Sequence, residues 1–263
     1  MIPLYCKRAA RVLTNSNTLG DDLVSHAGVP RSKLQTVYAS ADESFHPIAD
    51  QEALRQVRDR YALPPAPFLL MVVKGHQVLT QASGKHLTPR KNVAVTLEAY
   101  GRMRQRAVES GAEAVPPLVI LGLGIAEGLI PEAIAEHTDP AAVRTPGFVR
   151  FEDMPAIYTM ARALVFPSRY ESFGLPIVEA MACGCPVITS NTSACPEVAG
   201  DAAVLVDPDD VEGLASAMER VSFDAPLAEE LRQRGLRRAA TFSWAASARI
   251  LLSELRTAAR SHR

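Results

Sequence analysis

Hydrophobic and polar positions alternate along the chain in a pattern that predicts parallel strands connected by helices. Fully apolar runs, such as those at 68–73 and 117–124, are typical of strands buried on both faces of a parallel sheet. The segment between them at 92–107 carries apolar residues at a spacing of about 3.6, which indicates an amphipathic helix. The alternation extends over about 65–222 and predicts an α/β fold with a Rossmann-like parallel sheet flanked by helices.

The two ends of the chain follow different patterns. Residues 1–40 contain one strand–helix–strand unit, with a strand at 11–15, a helix capped by Asn15 or Ser16, and a strand at 34–40. One such unit cannot bury the faces of its own sheet and helix, so we expect a truncated remnant of an N-terminal domain. The chain is therefore divided into the remnant and its linker, the main α/β domain and a last helix, at 1–47, 48–240 and 241–263.

The composition of the chain limits the kinds of molecule and surface that it is expected to contact. The 263 residues carry 28 Lys and Arg against 29 Asp and Glu, so no overall basic field exists to attract nucleic acid. No apolar run approaches the roughly 20 residues that span a bilayer, and the start lacks the apolar core of a secretory signal. We expect a cytoplasmic protein. The arginines at 232–238 indicate a solvated helix face, with peripheral contact to a membrane surface as the alternative.

The cysteines do not predict a metal site. Cys183 and Cys185 are followed by Cys195, and no fourth ligand lies at a suitable spacing. Their apolar surroundings in the sequence favour small buried thiols. No metal and no cofactor are therefore expected.

The strongest chemical signal is the segment SRYESFGLPIVEAMACGCPVIT at 168–189. Pro176 suits the first turn of a helix, whose free N–H groups around Gly174 would attract an anion such as a phosphate. Glu171 precedes this turn, and Glu179 is expected in the first turn of the helix, where both carboxylates could accept sugar hydroxyls. The alternative is a solvated loop glutamate and an ordinary first-turn charge.

The stretch YESFGLPIVEAMACGCPVITSNTSACPEVAGDAAVLVDPDD at 170–210 resembles the donor-binding half of group 1 glycosyl transferases (glycosyltransferase family 4, GT-B fold). The elements PRKN at 89–92, MPAIY at 154–158 and FSW at 242–244 resemble the same family, most closely its mannosyl- and rhamnosyl-transferases. The resemblance implies a retaining enzyme that transfers a mannose-like hexose from a nucleotide-sugar to a saccharide or lipid-linked acceptor. It implies no metal, and it makes 48–240 the donor-binding domain.

The resemblance also implies roles for individual residues. Glu171 would contact the hydroxyls of the donor sugar, while Arg90 and Lys91 would neutralise the diphosphate as the sugar leaves. Glu179 would accept the ribose hydroxyls. The remaining donor contacts would come from backbone that faces the diphosphate or the base, namely Gly174, Leu175, Pro176, Phe148 and Val149.

Two departures from the family pattern affect these expectations. About a dozen extra residues at 76–88 precede the PRKN element, and they form either a lid or a disordered insertion. Lys74 or Lys85 could take over part of the phosphate contact. The N-terminal acceptor domain is reduced to residues 1–40, so a split enzyme or a non-catalytic remnant is the alternative function. The expected partner is then an acceptor-domain polypeptide or a second copy of the chain.

Two competing motifs are disfavoured. Gly122, Gly124 and Gly128 approach a dinucleotide-binding fingerprint, but the third glycine is one position late. Asp207 and Asp209 imitate a D-x-D metal element, although a turn followed by an Asp210 N-cap explains them better.

Overall fold

The computed structural model describes residues 2–73, 89–111, 115–122 and 134–260. The strands within these ranges are β1 (Val12–Thr14), β2 (Leu34–Thr36), β3 (Phe68–Val72), β4 (Leu118–Leu121), β5 (Val143–Gly147), β6 (Ala161–Phe166), β7 (Val187–Ser190) and β8 (Ala203–Val206). The α-helices with both ends inside these ranges are α1 (Ile2–Arg8), α2 (Asn17–Ala27), α3 (Gln51–Arg60), α4 (Val93–Glu109), α5 (Met154–Met160), α6 (Leu175–Ala182), α7 (Cys195–Ala199), α8 (Val211–Phe223), α9 (Ala225–Ala239) and α10 (Trp244–Arg260).

The main domain is built on a parallel sheet with the strand order β5-β4-β3-β6-β7-β8. The order reverses direction at β3, because the chain adds β4 and β5 on one side and β6 to β8 on the other. Ligands in such open sheets bind outside the carboxyl ends of the strands, at the point where the order reverses. The predicted fold class, a Rossmann-like α/β sheet flanked by helices, is confirmed.

The sheet is buried on both faces, as the apolar runs predict. In β3, Phe68 and Leu70 pack into one core, while Leu69 and Met71 pack into the other. All four side chains are almost completely shielded from solvent. Because successive strand residues point to opposite faces, a strand buried on both sides is apolar at nearly every position.

The N-terminal unit, residues 2–40, contains a separate parallel pair of strands, β1 and β2, joined by α2. Ser16 is the N-cap of α2, and Gly28 ends the helix in the left-handed conformation. Ser16 also donates through Oγ to the carbonyl of Ser172 at 2.6 Å, which ties the start of α2 to the loop after β6. The carboxyl ends of both sheets therefore face one another.

Glu197, on α7 of the main domain, forms the second tie to this unit. Its carboxylate accepts the backbone N–H groups of Asn17 and Thr18 at 2.8 and 2.9 Å. It also accepts the hydroxyls of Thr18 and Tyr38 at 2.7 and 2.8 Å. The first amides of a helix have no partner within the helix, so this carboxylate caps α2 from outside.

The last helix, α10, returns to the N-terminal unit. Ser247 donates through Oγ to the carbonyl of Tyr38 at 2.5 Å, and Glu254 forms an ion pair with Arg11. Trp244, with 53% of its surface accessible, and Leu255, with 59%, lie on the outward side. The described helices include none with the length and apolar content to cross a membrane.

The sequence pattern missed two short helices, α1 and α7, and gave β1 and β2 too many residues. The arginines at 232–238 were predicted to form a solvated helix face, and only some of them do so. Arg232 and Arg234 pair with glutamates one turn earlier, but Arg238 donates to the carbonyls of Glu197 and Val198 at 2.6 and 2.9 Å. Arg238 thus supports α7 rather than facing solvent. The predicted domain boundaries remain predictions.

Candidate functional site

A cavity of about 420 Å³ lies where the carboxyl ends of the two sheets meet. Asn15 and Ala39 come from the N-terminal unit, Val72 and Val73 from the end of β3, and the rest from segments after β3 and β6. Nine of the lining residues lie in the Arg90–Lys91 pair and around the start of α6: Arg90, Lys91, Glu171, Ser172, Phe173, Gly174, Leu175, Pro176 and Glu179. The structure therefore gathers most of the residues predicted from the sequence into one cavity.

Lys91 and Glu171 form a buried ion pair in this cavity. The Lys91 Nζ atom donates to Glu171 Oε1 at 2.6 Å, with 9% and 11% of the two side chains exposed. The same ammonium lies 4.5 Å from the ring centroid of Phe166. Burial lowers the pKa of Lys91, while the neighbouring carboxylate acts in the opposite direction. The pair thus fixes a cation and a carboxylate side by side, away from bulk water.

Asn92 positions Lys91. Its backbone adopts the left-handed conformation, with φ of 60°, directly before α4. Its Nδ2 group donates to the carbonyls of Pro167 and Pro208 at 3.1 and 2.5 Å. One buried amide therefore ties the segment that carries Lys91 to the loops after β6 and β8.

The turn at Gly174 presents backbone to the cavity. Gly174 has φ of 92°, and a Cβ atom there would lie 3.0 Å from Ile177 Cδ1, so the position favours glycine. Pro176 has no N–H, and Ile177 donates to the Gly174 carbonyl at 2.9 Å. The first N–H groups of a helix have no carbonyl one turn earlier to bond, so the amides of Gly174 and Leu175 at the start of α6 are candidates to bind an anion.

Glu179 also lines the cavity, but in the second turn of α6, so its expected place in the first turn was wrong. The helix begins at Leu175 with Pro176 in its first turn, as expected, which makes Glu179 its fifth residue. Tyr158, which is completely buried, donates its hydroxyl to Glu179 Oε2 at 3.1 Å. Burial raises the pKa of Glu179 to about 7, and this hydrogen bond acts in the opposite direction. The carboxyl is therefore poised to change its charge near neutral pH.

Phe148 and Val149 do not line the cavity. They follow β5 at the same edge of the sheet, and Phe148 is 62% exposed. Two strand spacings, about 10 Å, separate β5 from β3, so an extended ligand is needed to reach both places. Their role in holding a base stays a prediction.

Hydrogen bonds and burial also test the expectations for the aspartates at 207–210 and for the cysteines. Asp207 accepts the N–H of Asp209 at 2.9 Å and Asp210 accepts that of Gly213 at 2.9 Å, which confirms the turn and N-cap. Cys183, Cys185 and Cys195 are buried thiols, and burial raises their pKa values. No group of three or more His, Cys, Asp or Glu in the described ranges is placed to hold a metal ion. The segment 76–88, Lys74 and Gly124–Gly128 lie outside those ranges.

Sequence reasoning missed three residues that build this region. Asn15 was considered only as a cap, although it follows a strand end, where ligands bind in parallel sheets. Asn92 was noted only as part of PRKN, and its left-handed backbone is one that asparagine tolerates better than most residues. Glu197 lies in the quoted stretch, but its partners are at positions 17, 18 and 38.

The cavity suits an anionic ligand that carries hydroxyl groups. Arg90 and Lys91 supply positive charge, and the Gly174 turn supplies backbone donors. Glu171 and Glu179 supply acceptors for hydroxyls. A diphosphate attached to sugars at both ends presents these groups together.

Comparison with known sequences identifies a family whose model matches this chain and a curated relative that resembles it. The model of the family described as glycosyl transferases group 1 matches residues 80–238. The O-antigen chain mannosyltransferase B of Escherichia coli is 31% identical over 243 residues, which cover 90% of this chain and 58% of that protein. The chain thus spans a little more than half the length of this curated relative.

Solved structures show the same fold. A glycosyltransferase from Rickettsia africae ESF-5 superposes with a TM-score of 0.80 at 18% identity, covering 98% of this chain and 66% of that one. Anabaena Alr3699/HepE, solved in complex with UDP-glucose, superposes with a TM-score of 0.78 at 16% identity, covering 97% and 65%.

Proposed function

Because this chain belongs to the glycosyl transferases group 1 family, we propose that it is the donor-binding part of a retaining hexosyltransferase. It would bind a nucleotide-sugar and support transfer of a mannose-like hexose to a saccharide or lipid-linked acceptor. The observation that carries the proposal is the cavity in which the buried Lys91–Glu171 pair meets the Gly174 turn. The mannosyltransferase relative supports the choice of sugar.

The proposed roles follow from charge and position. Arg90, Lys91 and the amides of Gly174 and Leu175 would stabilise the diphosphate, whose negative charge grows as the bond to the sugar breaks. Glu171 would accept hydroxyls of the hexose, held in place by Lys91. Charge stabilisation of the leaving group is the catalytic contribution proposed for these residues.

The proposal includes a second polypeptide that takes part in the transfer of the sugar. The apolar side chains of Trp244, Leu252 and Leu255 on α10 are 53%, 49% and 59% exposed. Such side chains on one helix face favour a covering surface. It would be an acceptor-binding polypeptide or a second copy of the chain. A chain that binds donor without transferring it is the alternative function.

A thermal-shift panel tests the proposal. Uridine and guanosine diphosphates and their mannose and glucose esters are added to the purified chain, with the nucleoside monophosphates for comparison. A ligand present at about 100 times its Kd should stabilise the fold by about 2.7 kcal/mol. No stabilisation by any diphosphate would overturn the proposal, while binding without transfer to an added acceptor would favour the alternative.

Substitutions of Glu171 and Glu179 are expected to weaken the binding of different ligands. Glu179→Ala should weaken binding of the nucleoside diphosphate by about 1–3 kcal/mol, because charge-assisted hydrogen bonds to the ribose are lost. Glu171→Gln should weaken binding of the nucleotide-sugar more than that of the bare diphosphate. Calorimetry with both ligands measures this, and equal losses in both variants would contradict the division of roles.

Binding is also expected to depend on pH through Glu179. The pKa of this carboxyl is about 7, so it is increasingly protonated below neutral pH and then offers the ribose a weaker acceptor. Affinity should therefore fall severalfold between about pH 8 and pH 6. Glu179→Gln should flatten this part of the profile and leave only the ionisation of the phosphate itself, so an unchanged profile would count against the role.

Donor binding is expected to need no metal ion. The cationic side chains and amides around the diphosphate supply the charge that a divalent cation would otherwise provide. Calorimetry in EDTA should give the same Kd as calorimetry with added Mg²⁺. A loss of binding in EDTA that Mg²⁺ or Mn²⁺ restores would contradict this expectation.

A further inference from the structure

Asn15 lines the cavity, and its side-chain amide carries a buried polar atom with no hydrogen-bond partner among the described residues. Asn15 follows β1 and lines the cavity beside Ser172. Its Nδ2 group donates to Ser172 Oγ at 3.3 Å, while its Oδ1 atom is buried without a hydrogen-bond partner among the described residues. A buried polar atom left unpaired costs about 1–3 kcal/mol, so its retention calls for an explanation.

The amide is held in place by its neighbours. Ser16, the next residue, donates to the carbonyl of Ser172, and Glu197 caps the helix that starts there. Ser172 itself follows Glu171 directly. Asn15 is therefore fixed at the Glu171 end of the cavity, although it belongs to the N-terminal unit.

A hydroxyl group is the ligand chemistry that fits. The Oδ1 atom is an acceptor and would repel a phosphate oxygen, whereas a hydroxyl can donate to it. If the amide is turned over, Ser172 Oγ donates to the oxygen and the NH₂ group is the unpaired one. A hydroxyl can accept from that group, so it satisfies either orientation.

Resting on the proposed function, we propose that Asn15 hydrogen-bonds a hydroxyl of the hexose in the bound nucleotide-sugar. The N-terminal unit then contributes directly to recognition of the transferred sugar, alongside Glu171 of the main domain. The nucleoside diphosphate alone carries no hexose and does not engage Asn15.

Calorimetry on two variants of Asn15, expected to lose affinity to different extents, tests the proposed hydrogen bond. Asn15→Leu keeps the approximate size and removes both hydrogen-bonding atoms, so the affinity for the nucleotide-sugar should fall about three- to tenfold. Its affinity for the matching nucleoside diphosphate should not change. Asn15→Asp keeps an acceptor, so it should retain more of the affinity for the sugar-bearing ligand than Asn15→Leu does.

The control is Asn17→Ala, two residues further on. Asn17 is not among the residues that line the cavity, and its side chain bonds Tyr38 and Thr36, so the substitution should leave both affinities unchanged. Unfolding temperatures of all three variants confirm that they are folded. Equal effects of Asn15→Leu on both ligands, or no effect on either, would overturn the role of Asn15 while leaving the proposed function intact. A wild-type chain that binds no diphosphate would overturn the proposed function itself.

Discussion

Lys91→Met is expected to destabilise the protein and to remove most of its affinity for nucleoside diphosphates. The substitution leaves the Glu171 carboxylate buried without its 2.6 Å partner. Breaking one side of a buried ion pair costs about 3–5 kcal/mol. Loss of a charged hydrogen-bond donor to the diphosphate should weaken binding by about one to two orders of magnitude. Chemical denaturation measures the first effect and calorimetry the second.

The double variant Lys91→Met/Glu171→Gln separates the two effects. With both charges gone, no unpaired ion remains, so most of the lost stability should return. The binding defect should remain. Arg55→Met, which removes an exposed cation on α3 that does not line the cavity, should change neither quantity. Recovery of binding in the double variant would show that Lys91 acts only on stability.

Glu197→Ala is expected to lower the free energy of unfolding by about 2–3 kcal/mol. The carboxylate accepts two amides of α2 and two hydroxyls, which would all lose their partner together. The effect should be measured by urea denaturation at neutral pH. Glu230→Ala removes an exposed ion pair with Arg234 within one helix, and it should cost less than about 0.5 kcal/mol.

The cost of Glu197→Ala should depend on pH. Burial raises the pKa of Glu197, but the hydrogen bonds from Thr18, Asn17 and Tyr38 outweigh it, so the pKa lies below its ordinary value. The stabilisation is then complete above the pKa of about 4.3 that glutamate has when unfolded. It is lost as the pH falls through the lower folded value. A difference between wild type and variant that widens on acidification would contradict this assignment.

The fold could be predicted from the sequence because each buried strand of the main sheet must be apolar at nearly every position. The pair of Glu171 and Glu179 can be predicted because the two residues lie close in sequence. Pro176 predicts the first turn of α6 correctly, whereas Glu179 lies one turn later than expected. Local signals of this kind carry no information on contacts between distant segments.

The remaining parts of the site depend on such distant contacts. Lys91 and Glu171 are 80 positions apart, and neither residue type by itself predicts an ion pair. The contact between Asn15 and Ser172 spans 157 positions. Phe148 was assigned from resemblance alone, and the structure leaves it outside the cavity that holds the other residues.

Because Glu197 caps α2 from the main domain, hydrogen exchange at the first amides of α2 reports on movement between the N-terminal unit and α7. The first amides of a helix normally exchange their hydrogens with solvent quickly, but those of Asn17 and Thr18 are bonded to a side chain of the other unit. They exchange when these bonds to Glu197 open, as they do when the N-terminal unit separates from α7. Their protection factors would therefore set a lower limit on the free energy of that separation, and a bound nucleotide-sugar that bridges Asn15 and Glu171 would slow their exchange.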